Sequence, residues 1–363
     1  MKAYALKSPG NRKLEQIQIG DVTPTSDQVL VDITHSGVCH SDVHLREGGY
    51  DMGSKGVLSV EDRGVPFPLI LGHEIAGTVA KVGPDVTTLE VGDRVVVYPW
   101  LGCGQCKLCT AGDENQCRVM SQPLGIAQPG GYAEQVLVSA SKYCIPLGTL
   151  DSAWGATLSC SGLTAYAAVR KVLPLDAEEH VTIIGAGGVG LTAVAVLTAL
   201  GHENITVLDR TAANFEAAIE LGARSTFLTN DTSTPQEVLA RTGGPSAAVL
   251  DFVNSGVTAA LAFTLLDKAG TMVQVGLFGG EFLVSTATLI FQQKQIIGSY
   301  TGGLSDLEAC VEMARHGELP RPPISVRPMS LRNLESALDA LSQGRSHGRM
   351  VLEQPTGRRH QDR

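Results

Sequence analysis

No apolar run in the sequence approaches the roughly 20 residues needed to cross a bilayer, and residues 1–10 lack the apolar core of a secretion signal. The expectation is a cytoplasmic protein with no membrane partner. Basic blocks are missing too. With 28 lysines and arginines against 37 acids, a formal charge of -9, nothing is placed to neutralise phosphates, which argues against nucleic acid and for a small-molecule partner. The missing secretion signal also bears on the eight cysteines. In a long chain of this kind, reduced thiols acting as metal ligands are favoured over disulfides. Cys144 and Cys310 have no ligand-like spacing and read as small buried hydrophobes.

What is present is enough for two cores. A chain of 363 residues exceeds the usual single-core limit, and 43% hydrophobic content with 41 glycines indicates globular structure with many tight turns. The first 70 or so residues alternate short apolar runs with glycine, proline and aspartate. Val29, Val31 and Ile33 fall on one strand face, so a compact antiparallel unit is expected. Residues 48–70 show no clear period and read as a long functional or mobile loop.

The chemistry begins with Gly37-Val38-Cys39-His40-Ser41-Asp42-Val43-His44, too dense in ligands and acids for a plain turn. Gly72-His73-Glu74 follows, and Cys160 stands much later in Leu158-Ser159-Cys160-Ser161-Gly162-Leu163-Thr164. One neutral imidazole and two thiolates, from Cys39, His73 and Cys160, can hold a zinc ion and leave one position open. Cys103-x2-Cys106-x2-Cys109-x7-Cys117 is different, because four thiolates close a tetrahedral zinc completely and make the site structural. An iron–sulfur cluster is the competitor. A fourth cysteine seven residues on, with no proline after it, fits that poorly.

From about Leu163 strands and helices alternate. Residues 180–184 form a buried strand, Gly185-Ala186-Gly187-Gly188-Val189-Gly190 opens a helix running to about Leu200, and the next strand, 204–208, ends in Asp209. A glycine fingerprint between strand and helix, with an acid about 20 residues on, marks a dinucleotide site. Asp209 favours NAD over NADP. Arg210 can pair with a 2′-phosphate, stack on adenine or point to solvent. Further helices are expected at 212–221 and 257–268, and strands at 247–252, 271–275 and 295–300. Together they build a doubly wound parallel sheet in an α/β fold.

The segment from Gly72 to Val79, with both cysteine sets, resembles the zinc-dependent medium-chain alcohol dehydrogenases, bacterial and archaeal members above all, and the likeness runs from Lys2 to about Leu352. The resemblance implies a Rossmann domain over 162–301. It also implies a mainly β, GroES-like catalytic domain over 1–161 and 302–363 that carries a structural zinc lobe. Two zinc ions per chain and NAD are implied, as is a homo-oligomer, tetramer before dimer, joined through residues 295–300.

Cys39, His73 and Cys160 would hold the catalytic zinc, a Cys2His set known from this family, with Glu74 behind the metal and Asp42 orienting His73. Ser41 would take the alcohol proton and pass it through the cofactor ribose to His44. Thr164 would position the nicotinamide, beside Leu277. Arg349 and His40 stand where phosphate-binding arginines occur in the family, and Asn214 stands where a ribose-binding lysine is common. Trp100 and Leu277 are candidate pocket walls, with Trp100 equally readable as core. The expected activity is reversible oxidation of a primary or secondary alcohol by NAD. A thiol-dependent formaldehyde dehydrogenase shares both zinc sites. A non-catalytic NAD-binding sensor would have lost ligands that this chain keeps.

Overall fold

The computed structural model describes residues 1–230 and 232–355, and the tail 356–363, expected to be disordered, lies outside the described residues. The strand Val29–Val38 buries most of its side chains on both faces and therefore needs partners from far along the chain. One edge pairs antiparallel with Glu74–Val82. Its other edge is shared, with Gln135–Val138 along residues 29–32 and Arg349–Glu353 along residues 35–38. Arg94–Val97, Cys144–Pro146 and Ile324–Pro328 complete seven strands.

A small sheet of Glu15–Gln18, Lys2–Leu6 and Leu69–Ile70 stands beside it. The antiparallel unit expected of the first 70 residues is therefore divided between two sheets. The region 48–70 is also more ordered than its sequence suggests. Gly49–Asp51 and Val57–Ser59 form a short hairpin around a 3-10 turn at Gly53–Lys55. Three-residue strands are too short to show a period.

The second large sheet has six parallel strands in the order Ser225–Leu228, Ile205–Asp209, Val181–Ile184, Ser246–Asp251, Leu266–Gln274, Gln295–Gly298. This is the doubly wound order, whose crevice opens at the carboxyl ends of the adjacent strands Val181–Ile184 and Ser246–Asp251. The helix expected over 257–268 is Gly256–Leu265, and the chain passes straight into the next strand because Leu266 already pairs with Ser246. Phe215–Glu220 is shorter than the expected 212–221, since Asn214 turns its side chain back to the carbonyl of Ala186. Cys144 and Cys310 are buried, as expected. No helix among the described residues is long and apolar enough to cross a membrane.

Asp251 ends the central strand fully buried. Its Oδ1 accepts the amides of Val253 and Asn254 at 3.0 and 2.7 Å, while Oδ2 has no partner. Burial pushes this carboxyl up to about 6, against the backbone bonds that favour the charged form. A carboxyl whose folded pKa exceeds its unfolded one opposes folding once ionised. That cost is complete above about pH 6 and is relieved as pH falls toward about 4. Asp251→Asn keeps the carbonyl acceptor, so calorimetric melts should show Tm raised by a few degrees at about pH 7.5 and much less at about pH 5.

Candidate metal centre and cofactor cleft

The strand Val29–Val38 delivers Cys39 to the N-terminus of the helix His40–Glu47. Asp42, in the first turn, reaches back so that its Oδ2 accepts the Cys39 amide at 2.9 Å and the Tyr132 hydroxyl at 3.0 Å. Its Oδ1 accepts the Gly72 amide at 3.1 Å and lies 3.4 Å from Nδ1 of His73. The carboxylate thus stands beside the imidazole of His73, which immediately precedes the next strand, Glu74–Val82. Burial works against a charged His73, but Asp42 and the Cys39 thiolate overcome it and raise its pKa well above the ordinary value.

Cys160 arrives on a single π-helical turn, Leu158–Gly162, between Ser152–Thr157 and Leu163–Arg170. Such turns are rare and concentrate at functional sites. One ligand atom from each of Cys39, His73, Glu74 and Cys160 lies within 4.8 Å of the others, all buried. The Cys39 and Cys160 sulfurs are 3.8 Å apart. Sulfurs about 2.3 Å from a tetrahedral zinc would be separated by about 3.8 Å, whereas a disulfide needs about 2.05 Å. His73 Nε2 is buried with no hydrogen-bond partner. The donor set therefore fits a zinc ion. The Cys39 thiolate is favoured by a bond from Cys160, whose own thiol is held protonated by the same contact and by burial. Only a cation would keep both as thiolates.

Behind the ligands Glu74 forms a short ion pair with Arg349, both side chains buried. Burial still raises the Glu74 pKa to about 7 against the pull of Arg349. Arg349 packs its aliphatic stem on Gly188, so it joins the metal centre to the glycine-rich turn.

The second sulfur cluster holds Cys103, Cys106, Cys109 and Cys117, again with ligand atoms within 4.8 Å of one another. Amides of Cys103 and Met120 point at the Cys117 sulfur at 3.3 and 3.4 Å. These bonds overcome burial and bring its pKa down to about 6. Glu114, buried under the lobe, accepts from Gly102 N, Lys142 Nζ and Tyr143 OH, tying the lobe to the sheet.

In the cofactor crevice Gly185 has φ +100°, and a Cβ on Gly190 would collide with the Gly185 carbonyl. Glycine is required at both points for the turn to pass under the helix Gly188–Ala199, while Gly187 has open space above it. Asp209 Oδ2 accepts the Ala186 amide at 2.7 Å and Oδ1 accepts that of Thr211 at 2.9 Å. Arg210 is exposed, and Asn214 bonds the Ala186 carbonyl at 2.9 Å. Leu277 is 41% exposed, and Val189 packs partly buried on the core.

Ser41 Oγ lies 4.0 Å from the Cys39 sulfur, and His44 is one helical turn further on. Its ring stands 5.2 Å from that of His40, which packs 4.6 Å from Phe278. Burial lowers the pKa of both histidines, so both are neutral at pH 7. The Thr164 hydroxyl is buried without a partner. Trp100 packs 5.3 Å from the His73 ring. Tyr132, which holds Asp42, stands in no motif, and nothing in the sequence marks it.

Loss of one thiol from the four-cysteine lobe should act on the fold before it acts on the cleft. Cys106→Ser is expected to lose one metal ion per chain and lower Tm by roughly 5–15 °C, read by metal analysis and thermal melts on the same sample. The folded fraction should retain most of its turnover.

Comparison with known proteins points the same way. The alcohol dehydrogenase GroES-like domain matches residues 25–149, and the zinc-binding dehydrogenase domain matches residues 188–315. An NAD-dependent alcohol dehydrogenase of Sulfurisphaera tokodaii is 38% identical over 355 residues, 97% of this chain and 99% of that protein. An alcohol dehydrogenase of Geobacillus stearothermophilus is 33% identical over 328 residues, covering 90% and 92%. The crystal structure of the Aeropyrum pernix alcohol dehydrogenase superposes with TM-score 0.87 at 28% identity, covering 97% of this chain and 100% of that one. Two sulfur-rich clusters, a glycine-turn crevice and full-length kinship agree, and the chain belongs to the zinc-dependent medium-chain alcohol dehydrogenase family.

Proposed function

We infer that this protein transfers hydride between a primary or secondary alcohol and NAD, forming an aldehyde or ketone and running in either direction. The carrying observation is Arg349, which pairs with Glu74 behind the Cys39, His73, Cys160 cluster while lying against Gly188 of the dinucleotide turn. Metal ligands and cofactor crevice therefore belong to one site. When bound, zinc supplies a Lewis acid for the substrate oxygen and NAD supplies the hydride acceptor.

The chain's own residues do the rest. Asp42 holds His73 in orientation, and Thr164 offers a buried hydroxyl. Ser41 takes the alcohol proton as it passes on its own hydroxyl proton, and neutral His44 accepts the relayed proton and gives it up to solvent. The two are not hydrogen-bonded to each other, and a bound cofactor would supply a hydroxyl between them. Asp209 selects NAD, with His40, Arg210, Asn214 and Leu277 around the cofactor and Arg349 turned toward Glu74.

The division into a catalytic part, 1–161 with 302–363, and a cofactor part, 162–301, belongs to this reading, as does one zinc in each sulfur cluster. A homo-oligomer, tetramer before dimer, is supported by the open edge of Gln295–Gly298 with Ile290, Phe291 and Ile296 exposed nearby. A cytoplasmic location is supported by eight cysteines held as free thiols, seven of them in metal-ligating positions or at 0% exposure.

The test is NADH formation with a panel of alcohols, with and without added thiol, and zinc counting on the same preparation. Turnover is expected on a free alcohol without thiol. Cys160→Ala should lower it by roughly a thousandfold or more, the loss of several kcal/mol of metal assistance, while the four-cysteine lobe keeps its metal. Two zinc ions per chain with no turnover under any condition would overturn the substrate class.

A further inference from the structure

Outward from the metal centre the cleft is walled by aromatic rings. Trp100 lies 5.3 Å from the His73 ring, and Tyr300 lies 5.9 Å from Trp100. On the facing side Tyr50 stands 5.0 Å from His44. Tyr300 is pinned through its carbonyl, which accepts from Asn115 Nδ2 at 2.8 Å. Where the two walls converge, the Arg63 guanidinium lies 5.2 Å over the Tyr50 ring. There its charge opposes the burial that raises the pKa of the Tyr50 and Tyr300 phenols.

Arg63 differs from the other arginines of the cleft and its surroundings. Arg46 and Arg349 each hold a carboxylate. Arg63 is exposed and, among the described residues, has no carboxylate within 4.0 Å. Its neighbour Asp62 is committed to the amide and hydroxyl of Ser59, at 3.3 and 2.7 Å. A guanidinium carries five donors in a fixed fork that matches a carboxylate. Stacking on one ring beside two phenols leaves most of that fork unused.

We propose that Arg63 sets the specificity of this cleft by taking a carboxylate on the substrate, so that the preferred alcohols carry an acid group at the end remote from the hydroxyl. A flat apolar body joins the two ends and lies against Trp100 and Tyr300. This assignment rests on the alcohol-oxidising reading above.

The experiment compares 4-(hydroxymethyl)benzoate with benzyl alcohol, which share the reacting carbon and differ in the remote charge, using NAD and the zinc-loaded enzyme. The ratio of kcat/KM for acid over neutral alcohol should be about tenfold or more in the wild type, arising mainly in KM. Arg63→Gln should abolish it, Arg63→Lys should restore part of it, and raised salt should shrink it, as expected of an exposed charge. A merely structural role for Arg63 would leave the ratio untouched. Benzyl alcohol turned over as well as the acid, or an acid preference that survives Arg63→Gln, would overturn the anchor and leave the alcohol reading standing. Turnover of neither compound nor of any simple alcohol would overturn that reading and the anchor with it.

Discussion

One buried carboxylate organises the metal centre. Asp42 accepts the Cys39 amide, the Gly72 amide and the Tyr132 hydroxyl and lies 3.4 Å from Nδ1 of His73, so it gathers three separate stretches of chain. A fully buried anion is tolerable only if its lone pairs are met, and here two of the partners, the Cys39 and Gly72 amides, belong to or flank residues of the cluster that could hold a metal. The same bonds that solvate Asp42 therefore set the spacing of Cys39 and His73. Tyr132 is the one of these donors that a substitution can remove outright, since the Cys39 and Gly72 donors are backbone amides.

The charge balance around that carboxylate is lopsided. Two thiols, Glu74 and Asp42 face Arg349 and one imidazole, all buried. Burial drives Glu74 toward the neutral form, and the contact with Cys39 together with burial keeps the Cys160 sulfur protonated. A dication removes both tendencies at once, which is why the cluster is better understood as a metal cage than as a stabilising ion-pair network. Arg349 serves this cage from behind and meets Gly188 in front. The ion pair thus couples the two halves of the cleft mechanically.

Much of this was legible in the residue order. Ligand spacing, the glycine turn and Asp209 are local signatures, and each is placed by chemistry that works at short range. The four-cysteine lobe is the clearest case, since its ligands fall within one short loop. What sequence could not give is long-range or geometric. Tyr132, Arg63 and Tyr300 acquire their places through pairings distant in the chain, and the π-helical turn under Cys160 follows from no propensity. Some signals were present and passed over. Thr234-Pro235-Gln236-Glu237 is a capping box with proline at the first helical position, and the structure has a helix there, Pro235–Thr242. The short hairpin inside 48–70 leaves no such signal, because strands of three residues carry no periodic information.

The shared edge of Val29–Val38 has a consequence for biosynthesis. On that edge the half of the strand leading into Cys39 is paired by Arg349–Glu353, near the far end of the described chain, while its opposite edge is already held by Glu74–Val82. On a ribosome, the six-stranded parallel unit emerges whole before that partner does. During this interval the stretch ending in Cys39 is an unpaired edge beside a reactive thiol, and Glu74 lacks its arginine. The nascent chain is thus most exposed to misassembly where its chemistry will later reside.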